Sequence, residues 1–275
     1  MSMLRPSAGP ARGILRRHAD PARITHARYL PESVLAPFVE HCWCVSWDLR
    51  DRPPQLQETL PHPNVHLVVG TTDGGIHGVQ TRRFVTELAG QGRVFGIKFR
   101  PGGFYPFLRR PVASLANRTL GIADVFGDDG LAYARDVLAC PDLDTSVKLV
   151  TRLLATHLPM PDPSVGRVAD IVASVAADRT ITTAEALARR SGLGLRALQR
   201  LFHDYVGASP KWVINRYRLH EAIECLAAGT AVDWTHLALT LGYYDQAHFI
   251  RDFRRLVGRS PGEFARNESP NAGDG

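Results

Sequence analysis

The apolar positions of this chain change period at PMPDP, residues 159–163. Before that point they alternate in short runs. HCWCVSWDL (41–49) puts His41, Trp43, Val45 and Trp47 on one face of a strand, with Cys42 and Cys44 on the other. RVFGIKF (93–99) puts Phe95, Ile97 and Phe99 on one face and Val94, Gly96 and Lys98 on the other. NVHLVVG (64–70) and GGIHGVQ (74–80) read as two further strands across an Asp/Gly turn. Short alternating runs punctuated by Gly and Pro predict a small antiparallel, cupin-like sandwich or barrel. Three helical stretches should follow: ASLANRTL, GLAYARDVLA and TSVKLVTRLLATHL.

After the prolines the period becomes helical. Val165, Val168, Ile171, Val172 and Val175 mark one apolar stripe. Thr182 and Glu185 have the spacing of a capping box. SPKWVINRYRLHEAIECLAAG opens on Ser209 as N-cap with Pro210 in the first turn and closes on Gly229. Asp233 should cap the next helix, and SPGEF opens a last one. The fold class is therefore α+β: a disordered basic tail (1–23), a β-rich domain (24–158), a Pro-rich linker (159–163), a helical domain (164–266) and a disordered tail (267–275).

A repeat organises the helical part. FHDYVGASPKWV (202–213) returns as FRRLVGRSPGEF (253–264), with Gly207, Ser209 and Pro210 matching Gly258, Ser260 and Pro261. Upstream, Leu187, Ala188 and Gly192 precede LRALQRLF, as Leu237, Ala238 and Gly242 precede QAHFIRDF. Helix, Gly turn and helix make a helix-turn-helix, here twice, with a turn one residue longer in the second copy. Leu198, Leu201 and Phe202 face inward, as do Phe249 and Phe253. Arg196, Gln199 and Arg200 project outward, as do Gln246, Ala247 and His248. The start of the second helix is where such motifs place base-reading side chains, and Arg and Gln can read guanine and adenine. Arg200 and Arg251 read either as base contacts or as structural cations, and His248 as a base or phosphate contact or a solvated side chain.

Charge supports a polyanion partner. Net charge is +6, and residues 189–218 hold seven basic residues against Asp204 alone, a local +6. The bland alternative is a solvated helix face. Cys42, Cys44, Cys140 and Cys225 are too scattered for a disulfide framework, which suits a reducing cytoplasm. No apolar run approaches a membrane span, and no membrane is implied as a partner.

Both helix-turn-helix units, RLHEA (218–222) and GYYDQAHFIRDFRRLVGRSPGEF (242–264) resemble the AraC/XylS family of bacterial transcription regulators. The resemblance covers residues 164–264. It implies two units joined by one long helix, entering successive major grooves of double-stranded promoter DNA. By it, residues 195–205 and 245–256 are the readers, and Arg196, Gln199, Arg200, Gln246, Ala247, His248 and Arg251 are the DNA-binding residues. RNA polymerase, a small-molecule effector and a second copy of the chain are its further implied partners. Gly194 departs from the Ser cap the family often uses. In the first half, LPHPNVHL (60–67), IHGVQT (76–81) and FGIKFRPGGFYPFL (95–108) resemble uncharacterised N-terminal domains of some such regulators.

The aromatic residues Trp43, Trp47, Phe95 and Phe99 either fill a core or line an effector pocket. The competing reading is a cupin-like metal-dependent enzyme or small-molecule-binding protein with an appended DNA reader, with His62, His66, His77 and Glu58 as metal ligands. Pro61 and Pro63 interrupt the strand that this would need. The reading adopted requires no metal, no cofactor and no catalytic residue.

Overall fold

The computed structural model describes residues 23–71, 74–140, 142–227 and 234–268. The basic tail at 1–22, the caps Gly229 and Asp233, and the tail from 269 lie outside the described residues. The architecture is α+β, with a β-rich half followed by a helical one.

Among the described residues eight strands build the first half: β1 Ile24–Tyr29, β2 Val39–Leu49, β3 Gln55–Thr59, β4 His66–Gly70, β5 Gly74–His77, β6 Phe84–Leu88, β7 Gly90–Phe99 and β8 Thr119–Leu120. Six form an antiparallel sheet in the order β1-β2-β7-β4-β5-β8, and β3 pairs with β6 apart from it. Register assigns each face a chemistry. Cys42, Cys44, Leu67, Val69, Ile76, Phe95, Ile97 and Phe99 share one face and are buried. They pack against α1 Tyr105–Leu108, α2 Ala123–Ala139 and α3 Leu143–Thr156. Burial pushes the Cys42 thiol up to about 12, so it behaves as a small apolar residue.

The other face is polar. His41, Lys98, His66 and His77 form one row across β2, β7, β4 and β5. Trp43 and Trp47 lie flat over Gly96 and Gly92, where any Cβ would strike the indoles. The two Trp therefore sit on one face and the two Phe on the other. Phe95 and Phe99 fill the core, while Trp43 and Trp47 cover glycines of β7.

Three strands, β1, β3 and β6, carried too weak an alternation to be read. Leu56, Phe84 and Val85 in the β3–β6 pair are exposed, so the apolar pattern does not report their pairing. The stretch ASLANRTL is not a helix. Val112–Leu115 is one 3-10 turn, Asn117 takes a left-handed φ of 57°, and Thr119–Leu120 pairs with β5. The Asn117 Oδ1 accepts from Thr81 N at 2.8 Å, a long-range contact that ties this segment to the chain after β5. The metal reading is not assembled either. His66 and His77 are cross-strand neighbours, but the His62 ring lies 5.1 Å from that of His220. Among the described residues no three His, Cys, Asp or Glu side chains converge on a metal position.

The second half is helical: α4 Pro163–Ala177, α5 Ala184–Arg190, α6 Leu195–Leu201, α7 Pro210–Ala227, α8 Trp234–Thr240, α9 Gln246–Val257 and α10 Pro261–Glu268. A π-helical turn, Phe202–Val206, extends α6. Two cores form. One collects Val168, Val172, Leu187, Leu198, Phe202 and Val213. The other collects Leu219, Ala238, Phe249, Phe253 and Phe264, and it includes Leu60 from the first half. Helix α7 contributes to both.

Leu60 belongs to the segment Leu60-Pro61-His62-Pro63-Asn64, which leaves β3 and lies on α7. The Asn64 amide ties it to the sheet by donating to Phe99 O at 2.6 Å and to Glu40 at 3.2 Å. The Pro61 carbonyl accepts from Arg216 Nε. Leu60 is 1% exposed, so Leu60→Ala should cost about 2–4 kcal/mol. The predicted signature is faster amide exchange in α9, measured by hydrogen–deuterium exchange. Unchanged α9 exchange would show that the second core closes without Leu60.

The polar row also predicts a pH dependence. Burial, with the charge of Lys98 and the neighbouring His41 and His77, holds His66 down at about 3, against an opposing pull from Glu40. Below its ordinary value near 6.5, the unfolded chain therefore binds a proton that the folded chain refuses. Stability from this source is complete above pH 6.5 and falls by about 1.4 kcal/mol per unit below it. Burial alone would raise Glu40, but hydrogen bonds and charge from His41 and Lys98 hold it at about 2. Its contribution is lost only below about 4.5. Between pH 6.5 and 5 the His66 share is about 2 kcal/mol, and His66→Gln should remove it from a urea-unfolding pH series. An unchanged slope in that variant would show a protonatable ring.

Candidate nucleic-acid interface

The two helix-turn-helix units share their backbone mechanics. Gly192 and Gly242 take left-handed φ values of 63° and 77°. In each copy the residue after Gly closes the turn: Leu193 N donates to Ala188 O at 2.9 Å, and Tyr243 N to Ala238 O at 2.9 Å. Only Gly reaches this conformation cheaply, which explains its place in both turns. The extra residue of the second turn is Tyr244. Helix α6 is capped by Gly194, two residues past the turn Gly, and α9 by Asp245, three past it. Tyr244 is 89% exposed, whereas its neighbour Tyr243 is buried.

Caps differ in strength. The Asp245 carboxylate accepts from His248 N at 2.6 Å, while Gly194 offers α6 no side-chain cap. The cap of α5 is Thr183, not the Thr182–Glu185 pair: Thr183 Oγ1 accepts from Ala186 N at 3.1 Å. Ser209 and Ser260 cap α7 and α10, where Ser260 and Glu263 make a reciprocal capping box.

Amphipathic spacing decides what each reader presents. On α6, Leu198 is buried, and Arg196, Gln199 and Arg200 are exposed together on the opposite side. On α9, Phe249, Phe253, Leu256 and Val257 are buried, while Ala247, Arg251, Arg254 and Arg255 are exposed. Gln246 is only partly exposed, and its Oε1 accepts from Thr235 Oγ1 at 3.3 Å, which ties it to the preceding helix. His248 lies edge-on to Tyr243 at 5.3 Å and 3.8 Å from Asp252, with 42% of its side chain open. Tyr244, Arg254 and Arg255 were missed by sequence reasoning. The paired Tyr in GYYDQ was the available signal, because two adjacent residues in a tight turn cannot both point into one core.

The basic stretch is less of a surface patch than its count suggested. Arg216 and Arg218 are buried, leaving Arg189, Arg190, Arg196, Arg200 and Lys211 exposed. Arg218 is structural: it pairs with Glu221 and donates to Val175 O and to Asp178 O, joining α7 to the end of α4.

Residues 187–267 match a helix-turn-helix domain family, and residues 27–121 match a domain of unknown function. The transcriptional activator RhaS of Escherichia fergusonii is 39% identical over 79 residues, 29% of this chain. The chain covers 28% of the length of that curated relative. An AraC-type regulator from Chromobacterium violaceum superposes on 38% of this chain and 95% of its own, with 22% identity and a TM-score of 0.34. ToxT from Vibrio cholerae aligns over 79% of this chain and 98% of its own, with 11% identity and a TM-score of 0.38.

Base readers and scaffold should separate by mutation. Arg196→Ala or Gln199→Ala should relax preference at one or two base pairs, each costing about 1–3 kcal/mol on the preferred site. Leu198→Ala should instead unfold the first unit, at about 2–5 kcal/mol. Competition binding against mutated operators is the measurement. Equal losses on specific and random DNA for Arg196→Ala would make it a phosphate contact.

Proposed function

We propose that this chain, which carries an AraC-type helix-turn-helix domain behind a domain of unknown function, is a sequence-specific, DNA-binding transcriptional regulator whose β-rich half receives a small-molecule signal. The single observation that supports the reading best is the duplicated unit. Two turns with the same Gly conformation and closing hydrogen bond present two polar helix faces from one shared helix, α7. Arg196, Gln199 and Arg200 on α6 would read one major groove. Ala247 and Arg251 on α9, flanked by His248 and Gln246, would read the next. Arg189, Arg190, Lys211, Arg254 and Arg255 suit phosphates.

The β-rich half is the regulatory part in this proposal. It meets both reading units, since Val112 abuts Gly207 and Arg83 abuts Gly258. The Tyr105 and Tyr205 rings also meet at a tilt, with centroids 4.1 Å apart. A signal that shifts this half therefore bears on both readers. No helix among the described residues is long and apolar enough to cross a membrane. RNA polymerase and a second copy of the chain are further partners in the proposal, and the cytoplasm is its compartment.

Footprinting of the full chain on the DNA upstream of its own gene tests the reading. Protection should cover two major-groove segments about 34–36 Å apart on one face of the duplex. Affinity should fall linearly in log–log form with salt, losing about 0.9 of a slope unit per phosphate contact. Salt-insensitive binding, or protection of one groove only, would count against it.

A further inference from the structure

The two copies of the repeated unit end differently. FHDYVG and FRRLVG occupy the same place in each, starting from the inward Phe202 and Phe253. In the second copy Gly258 N donates to Arg254 O at 2.8 Å, four residues back, and α9 stays regular to Val257. In the first, Gly207 N donates to Phe202 O at 2.9 Å, five residues back, and Phe202–Val206 is a π turn. The stretch from cap to glycine, Gly194 to Gly207 and Asp245 to Gly258, has the same length in both copies. No inserted residue forces the π turn, and such turns are frequent at functional sites.

One position accounts for the difference. Where the second copy has Leu256, buried in its core, the first has Tyr205. A tyrosine turned into the core there would bury its hydroxyl without a partner, which is costly. In the π turn Tyr205 is half-buried instead, packed against both the first helical core and the core of the β-rich half. Its hydroxyl donates to Asp162 Oδ2 at 2.7 Å, and its ring meets that of Tyr105 on α1. Asp162 lies in the linker, where its Oδ1 caps α4 by accepting from Ser164 N at 2.8 Å, so the carboxylate is already fixed. A hydroxyl donating to a carboxylate makes one of the stronger hydrogen bonds. Burial, then the bond to Asp162 and its charge, raise the phenol to about 12 against a pull from Ser164, so it remains a donor at neutral pH. Just beyond, a Cβ at Gly207 would come within 2.9 Å of Val112 Cγ1.

We propose that Tyr205 is a positioning residue for the first reader: it draws the end of α6 into the π turn and so sets the aim of Arg196, Gln199 and Arg200. Helix α6 has seven residues, so its end governs its start. Gly194 gives that start no side-chain cap, whereas Asp245 caps α9. The first reader is thus anchored from behind, by Tyr205 on the linker and the β-rich half, and the second from in front, by its own cap. A change at Tyr105 or Asp162 reaches α6 through this one side chain, while Leu256 gives α9 no matching link. The proposal rests on the regulator reading for the role of α6, but the dependence of the π turn on Tyr205 does not.

The test uses the full chain with Tyr205→Leu, which installs the second copy's residue, and Tyr205→Phe, which removes only the hydroxyl. Crystal structures of the variants report the backbone. Competition binding reports the readers, on the operator that footprinting of the parent defines, with each half-site scrambled in turn. In Tyr205→Leu the Gly207 amide should donate to His203 O, the four-residue bond that Gly258 makes. Scrambling the first half-site should cost this variant about tenfold less affinity than it costs the parent, because its base contacts are already misaimed. Scrambling the second should cost both proteins the same. Tyr205→Phe should shift the first half-site in the same direction by a smaller factor, and it decides the matter if the Leu variant does not fold. The proposal falls if the Leu variant keeps the bond to Phe202 or keeps full discrimination at the first half-site. It falls too if both half-sites lose alike, the mark of a general loss of structure, or if the Phe variant matches the parent. A parent that protects no pair of half-sites sinks the regulator reading and this role with it. Two intact half-sites in the parent with unchanged variants sink the positioning role alone.

Discussion

Helix α7 has to satisfy three neighbours at once, and the rest of the molecule is arranged around that demand. Its Val213 and Ile214 enter the first helical core, and Leu219, Ala222 and Leu226 enter the second. Between them Arg216 faces the Pro61 carbonyl of the β-rich half. A helix of 18 residues has few faces, and this one is occupied on nearly all of them. That is why two full-length arginines end up inside the protein, and why their different partners matter. The two reading units cannot change their relation to each other without repacking α7, and α7 cannot repack without moving the segment that lies on it.

The segment itself shows how a short sequence can bridge two cores. Its two prolines fix the backbone and bring no N–H donors, and the Pro61 carbonyl accepts from Arg216. Asn64 fastens one end to the sheet through Phe99 and Glu40. Leu60 fastens the other by burial among α9 and α10 side chains. The β-rich half thereby supplies part of the hydrophobic interior of the second helix-turn-helix unit.

Much of this was legible in the sequence where periodicity and local chemistry agree. The duplicated turn, the Ser-Pro helix starts, the inward Leu198 and Phe253, and the outward Arg196 and Gln199 all follow from helical spacing and capping. The division of Trp43 from Phe95 does not follow in this way, because they lie on different strands and only the β2–β7 register, which sets Trp43 opposite Gly96, puts them on opposite faces. What was not legible depends on contacts distant in the chain. The strands β3 and β6 pair with exposed apolar residues, so no alternation announces them. Arg216 and Arg218 look like surface charge in a basic stretch, and only packing against Pro61 and Val175 reveals them as interior. The Thr183 cap was missed by one residue, since Thr182 and Thr183 are both good caps and the choice is made by where the helix enters its core.

The two Val-Gly-x-Ser-Pro phrases have a consequence for exchanging modules between proteins. In each, the glycine that ends a reader helix, at φ 85° for Gly207 and 84° for Gly258, is also the point where the other half makes contact. The docking surface is thus written inside the repeat, not in a separate linker. A helical domain grafted onto this chain would need a glycine at each of these two points, because a Cβ there would strike Val112 or Arg83. Transplantation of a binding specificity onto this chain would therefore be constrained at the C-terminal ends of the two helices proposed to read bases, and a graft limited to the exposed positions of α6 and α9 leaves both contacts whole.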